Sequence, residues 1–214
     1  MASTPEYTLC CFAQSGNAYK AALMLQLGSV DWRPRFVDYF NGETRTPGYR
    51  AINVMGEVPL LEHEGRYISQ SGVILDYVAE KTGRFGAASG DERREILRWL
   101  LFDNHKLTSY TATYRFMRTY VKDPDRAVLD EFRRRAEASW GVLNAHLDGR
   151  AFVIGERPTI ADISLCGYLF WPEEIGVDWD GFPHIRDWLL RIRALPRWTH
   201  PYELMPGHPR PAAA

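Results

Sequence analysis

Strand-like signals occur only in the first 82 residues of this 214-residue chain, and everything beyond reads as helix. Tyr7-Thr8-Leu9-Cys10-Cys11-Phe12 is a short extended run closed by the polar turn Ala13-Gln14-Ser15-Gly16. Asn17 to Leu27 follows as a helix with Ala18, Ala21, Ala22 and Leu25 on one face, and Gly28 is its expected C-terminal stop. Trp32 to Tyr39 is again extended. Asn41 to Asn53 is a polar stretch broken by Gly42, Pro47 and Gly48, hence a loop with at most a short helix. Val58-Pro59-Leu60-Leu61 and Tyr67-Ile68 flank the turn Glu64-Gly65 as a hairpin. Ser71 to Lys81 is helical, with Val73, Ile74, Tyr77 and Val78 as its expected buried stripe. The order β-α-β-(α)-β-β-α over residues 1–82 predicts a small mixed α/β domain.

Residues 83–90, Gly-Arg-Phe-Gly-Ala-Ala-Ser-Gly, are small and turn-rich and are expected to be a linker. Residues 91–205 are expected to form an all-α domain. Asp91 to Tyr120 is one long helical pattern with acidic residues at its start, which complement the helix dipole. Asp123-Pro124-Asp125 breaks it. Asp125 to Leu147 carries Leu129, Phe132, Ala136, Trp140, Leu143 and Leu147 on one stripe. Thr159-Ile160-Ala161-Asp162 matches a capping box. A last helix runs from Phe182-Pro183 to Leu195, and residues 206–214 are expected to be a flexible tail. Arg133-Arg134-Arg135, beside Asp130, Glu131 and Glu137, reads as a solvated, salt-bridged helix face.

Composition excludes several partner classes. The net charge is −1, with 25% charged and 45% hydrophobic residues, so nothing indicates nucleic acid or an anionic membrane surface. No apolar run approaches the ~20 residues of a membrane span, and the first residues lack the layout of a signal peptide. The three cysteines, Cys10, Cys11 and Cys166, show no CxxC and no Cys/His ligand spacing. No metal is implied, and reduced structural thiols in a cytoplasmic protein are expected.

Two stretches carry the chemistry. A helix beginning at Gln70-Ser71 leaves backbone N–H groups unpaired and is suited to a carboxylate or phosphate. Ser71 adds a hydroxyl, and Gln70 adds a donor and an acceptor. The plain alternative is that Ser69 or Ser71 only caps the helix. Pro59 suits the first residue or edge of a strand, so Val58 just before it can offer its N–H and C=O to an extended ligand. Together the two stretches describe a place to hold a small peptide.

These pieces resemble the glutathione transferase superfamily over nearly the whole chain. The resemblance rests on Tyr7 to Leu27, on Asn53-Val54-Met55-Gly56-Glu57-Val58-Pro59, on Ser69-Gln70-Ser71 leading into Val73-Ile74-Leu75-Asp76-Tyr77, and on Thr159-Ile160-Ala161-Asp162-Ile163. It implies a thioredoxin-like N-terminal domain, an all-helical C-terminal domain, a homodimer, and glutathione as co-substrate. It also implies a cis peptide before Pro59, with Val58 pairing with the cysteinyl part of glutathione. Gln70 and Ser71 would hold the γ-glutamyl end. Arg45 is the candidate for the glycine carboxylate, with a solvated surface charge as the alternative.

The family divides by the residue that meets the sulfur. Tyrosine-type members place it near the end of the first strand, where this chain has Cys11, and Tyr7 lies too early to substitute. The resemblance is therefore to serine-type or bacterial-type members, with Ser15 or Asn17 donating to the thiolate. Either residue could instead cap the first helix. Cys11 forming a mixed disulfide with glutathione is the other route, against which stands the absence of a basic neighbour in sequence. By resemblance the pocket for a small hydrophobic electrophile falls around His105, Ser109, Ala112, Arg115 and Phe116. The expected activity is conjugation of glutathione to such electrophiles. The alternatives are glutathione-dependent disulfide or peroxide reduction on the same fold, and a non-catalytic binding or scaffold protein.

Overall fold

The computed structural model describes residues 6–209. They form two compact units, the first running to Gly86 and taking in Leu195–Pro209, the second Ala87–Ala194. In the first, strands β1 (Tyr7–Cys11), β2 (Trp32–Phe36), β3 (Leu60–His63) and β4 (Arg66–Ser69) make one sheet in the order β2-β1-β3-β4. β1 is parallel to β2 and antiparallel to β3, and β3 is antiparallel to β4. Helices α1 (Gly16–Gly28), α2 (Pro47–Ile52) and α3 (Ser71–Thr82) complete the thioredoxin-like arrangement. α1 is the central helix: its residues from Ala18 to Leu25 are all buried, so it is apolar nearly all round rather than amphipathic.

The register brings the functional segments to one end of the sheet. Cys10 lies opposite Leu60, and Leu60 opposite Ser69, so these three residues form one row across β1, β3 and β4. The chain leaving β1 toward Ser15, the chain entering β3 through Val58-Pro59, and the chain leaving β4 into Gln70-Ser71 therefore emerge side by side. β2 ends at the same edge, because Phe36 pairs with Cys11.

Local details differ from the sequence expectation in three places. The left-handed residue ending α1 is Ser29 (φ 60°), not Gly28, which stays helical. On α3 the buried residues are Ile74, Leu75, Val78 and Ala79, while Val73 is exposed, because the helix lies with its Leu75 side down. The third difference is the C-terminal segment. Residues 195–209 belong to the first unit, where helix α10 (Pro201–Leu204) leads into main-chain bonding with residue 13. The part of the expected flexible tail from Pro206 to Pro209 is thus docked, and residues 210–214 lie outside the described residues.

Among the described residues the second unit contains no strand. Helices α4 (Gly90–Phe102) and α5 (Thr108–Tyr120) are joined without a break by a π-helical turn, Asp103–Leu107. α6 (Arg126–His146) packs Ala136, Trp140 and Leu143 inward and carries Arg133, Arg134 and Arg135 outward in ion pairs with Glu137 and Glu131. α7 (Ile160–Leu165), α8 (Pro172–Ile175) and α9 (Pro183–Arg193) follow. Asp162 is the polar centre of this core. Its carboxylate accepts from the Thr159 and Val153 backbone N–H groups at 2.8 Å and from the Trp188 indole at 2.9 Å. Burial pushes this carboxyl up, and those donors pull it back toward the ionised form.

Candidate functional site

The N-terminus of α3 is open. Its N-cap is Gln70, with a positive φ of 70°, whose side chain makes no cap hydrogen bond, and no side chain of a described residue accepts from the first-turn N–H groups. Ser71 is the first helical residue, so it does not cap, and the plain capping alternative does not describe this helix. Space beside the turn is free as well, since a Cβ added at Gly72 would meet nothing within 4 Å. Gln70 sends its side-chain amide to Met55 Sδ (2.8 Å) and Glu57 Oε2 (3.2 Å). A helix start with free N–H groups, a hydroxyl at Ser71 and a carboxamide at Gln70 suits the carboxylate and ammonium of an amino-acid head group.

Next to it, the Val58-Pro59 peptide is cis. Val58 lies outside both ladders of β3, and its backbone enters no hydrogen bond with a described residue. Its side chain packs on the cluster of Cys10, Val37, Tyr49 and Leu60. The preceding loop is clasped from below: the Glu57 carbonyl accepts from Tyr49 Oη–H at 2.9 Å and from Asn53 Nδ2–H at 2.8 Å. Gly56 turns that loop with φ +63°, and a Cβ there would stand 2.9 Å from the Thr44 carbonyl. The loop is held, and the Val58 peptide groups remain free for a ligand strand.

At the end of β1, Ser15 is the N-cap of α1. Its Oγ accepts from the Ala18 N–H at 3.1 Å, while its own O–H donates to no described residue. Capping and donation to a sulfur are therefore compatible in one hydroxyl. Asn17 stands on the first turn with its amide oxygen buried and without a hydrogen-bond partner among the described residues. These residues fit a thiol-bearing peptide.

Cys11 does not. It is fully buried, and burial first, then Cys10, pushes its thiol up to about 12. Cys10 is also buried and raised, although the Arg35 guanidinium, 3.3 Å from its sulfur, opposes the shift. Neither thiol is poised as a thiolate. Tyr7 stacks on His63 with ring centroids 3.9 Å apart, and burial pushes its hydroxyl up to about 12. It stands at the far end of β1, roughly 13 Å of extended chain from Cys11.

Arg45 is exposed and makes no side-chain hydrogen bond or ion pair with a described residue. The second-unit candidates are not equivalent. His105 is exposed on the π-helical turn; Ser109 is exposed and donates to the Asn104 carbonyl at 2.5 Å. Phe116 is exposed, and Ala112 is half-buried. Arg115 is buried, donates to Glu174 Oε2 at 2.8 Å through Nε, and lies 4.1 Å over the Trp171 ring. It is a core ion pair tying α5 to α8. Gln14, Met55, Glu57 and His208 were not singled out as site residues by the sequence; Met55 and Glu57 lie inside the motif that ends at Pro59 and Gln14 inside the turn after β1, while His208 carried no signal.

Residues 14–81 match the family model described as the glutathione S-transferase N-terminal domain, and residues 105–196 match the one described as its C-terminal domain. Glutathione S-transferase GST-4.5 of Xanthomonas campestris pv. campestris is 30% identical over 156 residues, which cover 70% of this chain and 76% of that protein. The chain belongs to the glutathione transferase superfamily. Within it, the disulfide-bond oxidoreductase YfcG of Escherichia coli is 26% identical over 193 residues, covering 86% of this chain and 89% of the relative. Mammalian elongation factor 1-gamma, for example that of Equus caballus, is 24% identical over 192 residues, and the chain spans 43% of its length. A glutathione S-transferase from Pseudomonas fluorescens Pf-5 superposes with a TM-score of 0.88 at 29% identity, over 92% of this chain and 99% of the other. A further family member from that organism, with two glutathione molecules bound, gives 0.78 at 26% identity over 92% of each chain.

Proposed function

We propose that the protein binds glutathione and transfers its thiolate to small hydrophobic electrophiles, as a cytoplasmic homodimer of the serine-type or bacterial-type group. The observation that carries this reading is the convergence, at one end of the sheet, of three unspent valences. These are the uncapped N-terminus of α3, the unpaired peptide groups of Val58, and the free O–H of Ser15. The α3 start and the Ser71 hydroxyl take the γ-glutamyl carboxylate, Gln70 takes the head group, and Val58 pairs with the cysteinyl peptide beside Pro59. Arg45 faces the glycine carboxylate.

With the tripeptide so placed, Ser15 donates its O–H to the sulfur, and the Asn17 amide lies on the same turn. A thiol of pKa near ~8.5 is only a few per cent ionised at pH 7. A hydrogen bond to the thiolate and the nearby N-terminus of α1 both favour ionisation. The thiolate then attacks an electrophilic carbon, a C–S bond forms, and the displaced electron pair leaves with the leaving group. His105, Ser109, Ala112 and Phe116 are the second-unit residues assigned to the electrophile; Arg115, committed to Glu174, is not.

The likeness to YfcG favours one second reading, in which the same thiolate attacks a disulfide sulfur and releases the other half as a thiolate. With Cys10 and Cys11 buried and raised, that reaction would use glutathione thiols alone, and Cys11→Ser would leave it unchanged. Isothermal titration with glutathione tests the common premise. Wild type is expected to bind, and Ser71→Ala to bind about tenfold more weakly, the loss of one charge-assisted hydrogen bond. No heat of binding in the wild type would leave a non-catalytic scaffold as the better account.

A further inference from the structure

The segment Pro206–His208 returns to the turn that carries Ser15. Pro206 O accepts from the Ala13 N–H at 2.8 Å. Gln14 closes a two-point clamp on His208, donating Nε2–H to its carbonyl at 2.7 Å and accepting its N–H on Oε1 at 3.1 Å. Gly207 lies between, so close that a Cβ there would stand 2.8 Å from Ala13 Cβ and 2.9 Å from Gln14 Oε1. The His208 ring is wedged among Phe12, Phe36 and Phe40, with centroids 5.6, 5.1 and 4.5 Å away, and its Nδ1 is 3.6 Å from Asp38. Its Nε2 is buried without a hydrogen-bond partner among the described residues, which costs docking energy. Main-chain pairing and ring packing therefore hold the segment, rather than the polarity of the imidazole. One step upstream, Tyr19 Oη–H on α1 donates to the Thr199 carbonyl at 2.9 Å.

The turn itself is short: Ser15 N–H bonds to the Phe12 carbonyl at 3.0 Å, and Ala13 and Gln14 are the two residues between. Both of these are the residues the returning segment grips. We propose that Pro206–His208 is a positioning strap for the thiolate site. Its fit at Gly207 fixes the Phe12–Ser15 turn and so the aim of the Ser15 hydroxyl at the sulfur. Hydrogen-bond strength falls steeply with angle, and a donor must be held to within about 0.5 Å to act on a reacting atom. Gly207 is accordingly a positioning residue, acting through Ala13 and Gln14 on Ser15. This inference rests on the glutathione reading above and extends it to a segment separated from the turn by nearly the whole chain.

The test measures the pKa of the bound glutathione thiol by ultraviolet thiolate absorbance against pH, with kcat/KM toward a chlorodinitrobenzene. Gly207→Ala drives a methyl into Ala13 and is expected to raise the bound thiol pKa by about one unit, hence to lower kcat/KM near pH 7 about tenfold. The glutathione Kd should change less than about twofold, since Ser71 and Val58 are untouched. Adding Ala13→Gly to Gly207→Ala removes the nearer of the two struck atoms, leaving the Gln14 Oε1 contact, and should restore part of the loss. Truncation after Met205 deletes the strap and should reproduce the Gly207→Ala pKa shift. An unchanged thiol pKa in the truncated protein overturns the strap, as does a fall in rate that tracks glutathione affinity alone. Absence of glutathione binding in the wild type overturns the reading on which it rests.

Discussion

Helix α7 begins with Thr159 and Asp162 closing its first turn, whereas helix α3 begins at Ser71 with no side chain on its first-turn donors. Both starts carry hydroxyl and carbonyl-bearing residues of the kind that cap helices. At α7 those groups bond one another: Thr159 Oγ1 accepts from Ala161 N–H at 3.2 Å, and Asp162 Oδ2 accepts from Thr159 N–H at 2.8 Å. The end is buried, and nothing is left for a ligand. At α3 the serine sits one position too late to cap, and Gln70 reaches sideways to Met55 and Glu57. One terminus is closed by its own side chains, and the other is left open.

Mutations should separate the two. Asp162→Ala has the largest expected effect, about 3–4 kcal/mol of lost stability in urea unfolding, because Val153 N–H, Thr159 N–H and the Trp188 indole are orphaned together. A loss under about 1 kcal/mol would mean that α7 is not closed in this sense. Thr159→Ala should cost about 1–2 kcal/mol as an ordinary lost cap. Ser71→Ala should stay within about 0.5 kcal/mol of wild type in the absence of glutathione. Equal losses for these two would erase the contrast between the helices.

The smallest effect concerns Cys10 and Cys11, which lie at the open end of the sheet but are themselves closed off. Because burial raises the Cys11 thiol from the ordinary 9.0 to about 12, the folded state favours the protonated form. Its contribution to stability is complete below pH 9 and is lost as pH rises from there through about 12. Acidification should not touch it. Native protein at pH 8 should resist iodoacetamide at both cysteines and react with it once unfolded, as mass spectrometry would show. Rapid native labelling of Cys11 would reopen the mixed-disulfide route.

Much of the local structure of the candidate site was legible in the sequence where it depends on neighbours along the chain. Val58-Pro59 at a strand entrance, Ser71 at a helix start, and the Thr159–Asp162 box all follow from short-range backbone rules. Arg115 shows the limit. Its place on a long helix is visible from periodicity, but its commitment to Glu174 and Trp171 comes from elements more than fifty residues away. Val73 misled for a similar reason, since an apolar residue beside an apolar stripe reads as core until the helix is docked.

The sequence by itself determined the order of the main elements, the change from α/β to all-α, and many of the turn residues between them, though not the end of α1 at Ser29. These are local matters, governed by side-chain periodicity and by the dihedral preferences of proline and glycine. Tertiary structure decided which polar groups remain unspent. The open α3 terminus, the free Val58 peptide and the Ser15 hydroxyl meet only because the register of β1, β3 and β4 puts their ends in one row. It also decided the position of residues 206–208. Pairing Gln14 with His208 joins positions 194 residues apart, and no pattern within either segment announces a partner at that distance. A hydrogen bond made across the fold costs its two partners no local signature, so it becomes visible only when the chain is folded.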